Sequence, residues 1–166
     1  EGVRISDQQT VPKIDMHAHF WKPHDALLPT LDAWNMRALL VNVTSDKCYE
    51  NREWLWGYRE DDPLGGHDPY SASKAAADLL CRAAFHTHEQ DVVVTRCSNN
   101  YGPHQFPEKV IPLFVTNLMD GKKVPLYGDG LNERDWLFVT DHCSAIHMLV
   151  DEGEPGEVYN IGGMAE

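Results

Sequence analysis

Tyr70 and Lys74 stand four residues apart in the run DPYSASKAAADLLCRAAF, a spacing that puts both on one face of a helix. An ammonium beside a phenol favours phenolate and lowers a pKa that is otherwise about 10, which makes the tyrosine a usable base near neutral pH. The spacing alone fits a packed aromatic beside a solvated lysine equally well. Ser45-Asp46-Lys47 forms a second cluster of polar groups, in direct succession. His17 and His19 form a third: two residues apart on a strand they face the same side, so both imidazoles could bind one metal. Their other reading is a pair of structural or surface histidines.

Elements must hold these groups in place. Ala38 to Val43 is an apolar run that reads as a strand buried on both faces of a parallel sheet. Ser45-Asp46-Lys47 then sits at the carboxyl end of that strand, where ligands gather in open α/β sheets. Residues 71–85 read as a helix, with Ala75, Ala76, Ala77, Leu79, Leu80, Ala83 and Ala84 as small packing residues. Asp91 to Cys97 is a second buried-strand pattern, rich in β-branched residues. It delivers residues 98–103, a loop of turn formers with two carboxamides, Asn99 and Asn100. Between the two centres, residues 48–66 read as a surface loop with Trp54, Trp56 and Tyr58 as anchors.

The flanks follow the same logic. Residues 1–12 read as a tail, Lys13 to Phe20 as a short strand, and Asp25 as the N-cap of a helix to about Asn35. A helix is expected over 108–120, closed by Gly121, with short strands at 124–127 and 136–139. Thr140 is the expected N-cap of a helix to Asp151, ended by Gly153, and 157–161 the last strand.

With 166 residues a single domain is the default. A net charge of −12 argues against nucleic acid and anionic membranes as partners, because both need basic surface. Four cysteines show no CxxC spacing, which points to reduced thiols and a cytoplasmic protein. No stretch approaches the length of a membrane-spanning helix, and no signal-peptide core is visible at the N-terminus.

The stretch TSDKCYENREWLWGYREDDPLGGHDPYSASK resembles the extended short-chain dehydrogenase/reductases, and among them the CDP-glucose 4,6-dehydratases. RCSNNYGPHQFPEKVIPLF, VPLYGDGLNERDWLFVTDHCSAIHMLV and GEVYNIGG are similar to dTDP-glucose 4,6-dehydratases. The resemblance covers about 44–166 and implies NAD-dependent chemistry on a nucleotide-sugar. In that family the sugar C4 hydroxyl is oxidised, water is eliminated across C5–C6, and the hydride returns to C6. By resemblance, Tyr70 is the base at O4, and Lys74 lowers its pKa and holds the cofactor ribose. Ser45 hydrogen-bonds the sugar, Asp46 protonates the leaving C6 hydroxyl, and Lys47 assists at C5. Asn99 contacts substrate and Asn100 the nicotinamide side of the cofactor. Glu108 and Lys109 meet the substrate, with Lys109 and Arg134 near its diphosphate, which an ammonium and a forked guanidinium suit. Pro125, Leu126 and Tyr127 line the base pocket. A homodimer through the 71–85 helix is also implied.

Two departures shape the expectation. No G-x-x-G-x-x-G or G-x-G-x-x-G cradle occurs in the chain, so the expected fold is α/β and Rossmann-like in part, a parallel sheet with helices lacking the glycine-rich first βα unit. Where dTDP-type relatives carry a glutamate at the C5 base, this chain has Lys47, the CDP-type choice, which can act as base only if its pKa falls well below about 10.4. IDMHAHF followed by LLPTLDAWNMRALLVNV resembles the start of metal-dependent amidohydrolases, in which an HxH supplies two metal ligands. A chain this short cannot build that barrel. The domain reading is therefore an N-terminal segment, 1–43, with a possible βα unit, and a catalytic and substrate-binding part, 44–166. Nucleotide-sugar dehydration leads; a metal-dependent hydrolase resting on His17 and His19, or a non-catalytic or chimeric fragment, are the alternatives.

Overall fold

The computed structural model describes residues 39–53 and 55–163. The expected strand at 13–20, the helix to Asn35, His17, His19 and Trp54 lie outside the described residues. Two six-residue strands pair first, β1 (Leu40–Ser45) and β2 (Val92–Cys97). β2 is central, while β1 is an edge of the described sheet with Leu40 and Val43 exposed, not buried on both faces as its apolar run suggests. The two pair in parallel and in one-to-one register from Leu40 opposite Val92 to Ser45 opposite Cys97. β5 (Val158–Ile161) adds to the far side of β2, also parallel, giving the order β1-β2-β5. Val92, Val93, Val94 and Thr95 are β-branched, which suits a pleated, crowded strand. All six residues of β2 are buried, as expected of a central parallel strand.

The crossover from β1 to β2 is α1 (Pro69–His88). Asp68 caps it, accepting from the N–H groups of Tyr70 and Ser71 at 2.9 and 3.0 Å. Pro69 sits where a missing N–H costs nothing. Glu89 closes the helix in the left-handed region at φ 52°. The helix is five residues longer than expected, two at its start and three at its end, and its packing face differs. Ser71, Ala75 and Asp78 are buried, an i, i+4, i+7 stripe, whereas Leu79 and Leu80 are exposed. Ala76 and Ala83 are exposed as well. The helix meets the sheet through a carboxylate, Asp78, which composition alone would place outside.

Three further elements complete the chain: β3 (Asn99–Tyr101), α2 (Val110–Met119) and β4 (Trp136–Phe138). α3 (Val139–Glu152) follows directly and packs on β4, β1 and β2. β3 corrects the expectation of a plain loop at 98–103. It pairs in parallel with β4, and Tyr101 packs edge-on against Trp136 and tilted against Phe138. Distant aromatic partners thus override local turn propensity. The expected strand at 124–127 does not form. Pro125 offers no N–H, and Gly128 and Gly130 turn the chain at φ 60° and 77°. Thr140 is not an N-cap: α3 begins at Val139, and Phe138 holds the cap position without a side-chain bond. Among the described residues no helix is long and apolar enough to cross a membrane.

Candidate active site

β1 ends at Ser45, two residues later than its apolar run, because Thr44 and Ser45 still find partners in Arg96 and Cys97. The Thr44 hydroxyl also donates to the Thr95 carbonyl at 2.9 Å across the strands. Asp46–Cys48 then makes one 3-10 turn, with the Ser45 side chain accepting from the Lys47 N–H at 3.2 Å. The Ser45 hydroxyl donates to Asp46 Oδ1 at 3.0 Å. Hydroxyl and carboxylate are therefore joined at the carboxyl end of the strand. Cys48 is fully buried beside Tyr49 and Ala75, so the turn is pressed onto α1.

Tyr70 and Lys74 share a face of α1, with Lys74 Nζ 5.7 Å from the centre of the Tyr70 ring. That is cation–π range. Tyr70 is 56% exposed, so its phenol is open to a ligand. Two electrostatic links tie the helix to the turn. Burial pushes the Cys97 thiol above its ordinary range; the Asn100 N–H opposes this, Asp46 adds to it, and Lys74 pulls the other way. Hydrogen bonds from Ser71 lower the Asp68 carboxyl, and the Lys47 ammonium acts in the same direction. Asp46 and Lys74 thus both bear on one thiol at the end of β2, and Lys47 weakly on the Asp68 cap of α1.

Asn100 completes this corner. Its Nδ2 donates to Cys97 Sγ and to the Ser98 carbonyl, both at 3.3 Å, while its Oδ1 is buried without a partner. Such an acceptor is costly unless something supplies a donor. A cavity of about 210 Å³ opens between residues 100–105 and Val139; Asn100 is the one predicted site residue on its wall. Asn99 turns elsewhere, with Nδ2 donating to the Asp135 carbonyl at 3.3 Å.

The remaining predicted residues are not packed into this corner. Glu108, Lys109 and Arg134 are exposed; Lys109 is the N-cap of α2, and Arg134 donates to the Glu133 carbonyl. Leu126 and Tyr127 are 73% and 70% exposed, beside a half-buried Pro125. Sequence reasoning passed over Tyr49, Asp78 and Arg96, all buried, with Arg96 donating to both of the others. The available signal was a lone arginine inside an otherwise apolar strand, since a charge there requires a partner. Among the described residues no group of three or more His, Cys, Asp or Glu side chains could hold a metal.

Known proteins are similar to this chain in sequence and fold. The dTDP-glucose 4,6-dehydratase of Streptomyces antibioticus is 58% identical over 126 residues, 76% of this chain and 37% of that protein. The one from Neisseria meningitidis serogroup B is 54% identical over 109 residues, 66% of this chain and 31% of the relative. The Bacillus anthracis dTDP-glucose 4,6-dehydratase, solved in complex with NAD, superposes with a TM-score of 0.76 at 52% identity. That match covers 85% of this chain and 45% of the other. The chain thus spans about a third to under half of the length of these relatives. Residues 24–162 match the NAD dependent epimerase/dehydratase family, and with the parallel sheet and the Tyr70–Lys74 helix in place, the chain belongs to that family.

Proposed function

We propose that residues 44–166 are the catalytic and substrate-binding part of a nucleotide-sugar 4,6-dehydratase acting on dTDP-glucose. The observation that carries this reading is the convergence at the ends of β1 and β2. The Asp46–Cys48 turn is pressed onto α1 through Cys48 and Ala75, Ser45 pairs level with Cys97, and Lys74 lies 5.7 Å from the Tyr70 ring. Tyr70 then takes the proton from O4, assisted by the Lys74 charge. Ser45, bonded to Asp46, orients the sugar. Asp46 delivers a proton to the departing C6 hydroxyl, and Lys47 stands by C5. Asn99, Glu108, Lys109 and Arg134 serve the sugar and its diphosphate, and Pro125, Leu126 and Tyr127 the base.

The residues present suit one end of NAD. Lys74 and Tyr70 would hold the nicotinamide ribose, and the unpartnered Asn100 Oδ1 would meet a carboxamide donor. The adenosine and pyrophosphate end lacks its glycine-rich turn in this sequence. NAD, when bound, supplies the hydride acceptor and donor of the reaction. Exposed Leu79 and Leu80 on α1 suit a homodimer through that helix, and four free cysteines suit a reducing cytoplasm.

Calorimetry with dTDP-glucose, CDP-glucose and NAD tests the reading. We expect dTDP-glucose to bind, CDP-glucose to bind at least about tenfold more weakly, and product to form only with NAD present. A chain that binds neither nucleotide-sugar ends it, and a preference for CDP-glucose reassigns the substrate.

A further inference from the structure

One guanidinium holds both halves of the candidate site. Arg96 lies on β2 with its side chain fully buried. Its Nε and Nη2 donate to the two carboxylate oxygens of Asp78 on α1 at 2.7 and 3.0 Å, a bidentate fork. Its Nη1 donates to the Tyr49 hydroxyl at 2.7 Å and to the Glu60 carbonyl at 2.9 Å. The Tyr49 hydroxyl donates onward to Asn160 Oδ1 on β5 at 2.7 Å. The Tyr49 ring has the guanidinium carbon 4.7 Å from its centre and the Tyr58 ring stacked at 5.0 Å and 7°.

The placement of these partners gives the network its meaning. Asp78 lies four residues beyond Lys74 and eight beyond Tyr70 on α1, so tying it to β2 fixes the rotation of the helix that presents them. Tyr49 directly follows the 3-10 turn that carries Asp46 and Lys47, so tying it to the same guanidinium fixes the turn. A buried ion pair contributes little net stability, because desolvation offsets its attraction. Burial works against the Arg96 charge, yet the bonds to Asp78 and Tyr49 outweigh it and raise its affinity for the proton. What such a pair does well is fix orientation, and lysine lacks the planar fork needed to bridge both partners.

We propose that Arg96, bridging Asp78 and Tyr49, is a positioning residue that sets Tyr70 and Lys74 against Asp46 without touching the reacting atoms. The proposal rests on the dehydratase reading for its catalytic half alone. Tyr49→Phe is the sharpest probe, since it keeps the ring stack and removes the hydroxyl links to Arg96 and Asn160. Cys48 is 0% and Cys97 8% exposed, while Cys143 is exposed, so maleimide labelling read by mass spectrometry reports local release. In Tyr49→Phe we expect Cys48 to label about tenfold faster while Cys97 stays protected. With NAD and dTDP-glucose supplied, kcat should fall about tenfold and KM stay within about twofold. Arg96→Lys should reproduce both effects.

Unchanged Cys48 labelling overturns the proposal, as does an unchanged kcat in an active chain. Joint labelling of Cys48 and Cys97 in both variants also overturns it, by showing that the network only holds the fold. If the unsubstituted chain makes no 4-keto sugar, the dehydratase reading fails, and the thiol labelling still decides whether the turn is held this way.

Discussion

The three-stranded sheet with α1 and the stretch from 102 to 135 are held to different standards. In the first, Cys48, Asp78, Val93, Val94, Thr95 and Arg96 are all under 2% exposed. In the second, α2 has no buried residue although its sequence, VIPLFVTNLM, is nearly all apolar. Val115, Leu118 and Met119 are 51%, 63% and 81% exposed. The groups proposed to move protons, at 46 and 70, and the lysine at 74 that assists them stand on the rigid part. Those proposed to grip the charged tail and base, at 108, 109, 126, 127 and 134, stand on the loose part. Proton transfer needs sub-ångström placement, whereas a long arginine or lysine side chain adapts its reach.

Substitutions can break this contrast or sharpen it. The largest effect is expected for Asp78→Ala, which strands the Arg96 guanidinium inside the sheet. Loss of one partner of a buried pair costs about 3–5 kcal/mol, read as a drop in urea midpoint; a loss below about 1 kcal/mol would mean that water reaches Arg96. Next is Gly156→Ala, where the chain enters β5. The position has φ 90°, and an added Cβ would lie 2.3 Å from Phe85 Cε1 on α1, so about 1–3 kcal/mol should be lost. A smaller, pH-dependent effect belongs to His142, which is 6% exposed with Nε2 unpartnered. Burial lowers its pKa. Stability should therefore be flat above the ordinary value of about 6.5, fall as pH drops below it because the unfolded chain takes the proton first, and level off below the folded pKa. In His142→Leu, unfolding midpoints should lose that slope. The smallest effect is expected for Leu118→Ala, within about 0.5 kcal/mol; a loss of several kcal/mol would show that α2 is covered in solution.

Much of the rigid part was legible in the sequence. β1, β2 and β5 were visible as apolar or β-branched runs, and the helix that presents Tyr70 was visible over 71–85, though its cap at Asp68 and first residue Pro69 were not read. The site triplet fell near a strand end because the apolar run stops at Val43, and pairing with Arg96 and Cys97 carries the strand only two residues further. Three features were not legible, for physical reasons. β3 exists only because Trp136 and Phe138, 37 residues after Asn99 and Tyr101 respectively, offer it a partner, and local propensity carries no record of that. The buried face of α1 was misread because Asp78 is inside only by virtue of Arg96. The exposed state of 126 and 127 could not be read either, since apolar residues in a turn look the same whether or not anything covers them.

The one-to-one pairing of β1 with β2 acts as a ruler. Ser45 and Cys97 end level with each other, so the turn at 46 and the carboxamide at 100 leave the sheet from a common line. A single residue inserted within either strand would advance one side by about 3.3 Å and swap its inward and outward faces. Insertions between 120 and 132 meet no such ladder. Length polymorphism should therefore be tolerated there and excluded from residues 40–45 and 92–97.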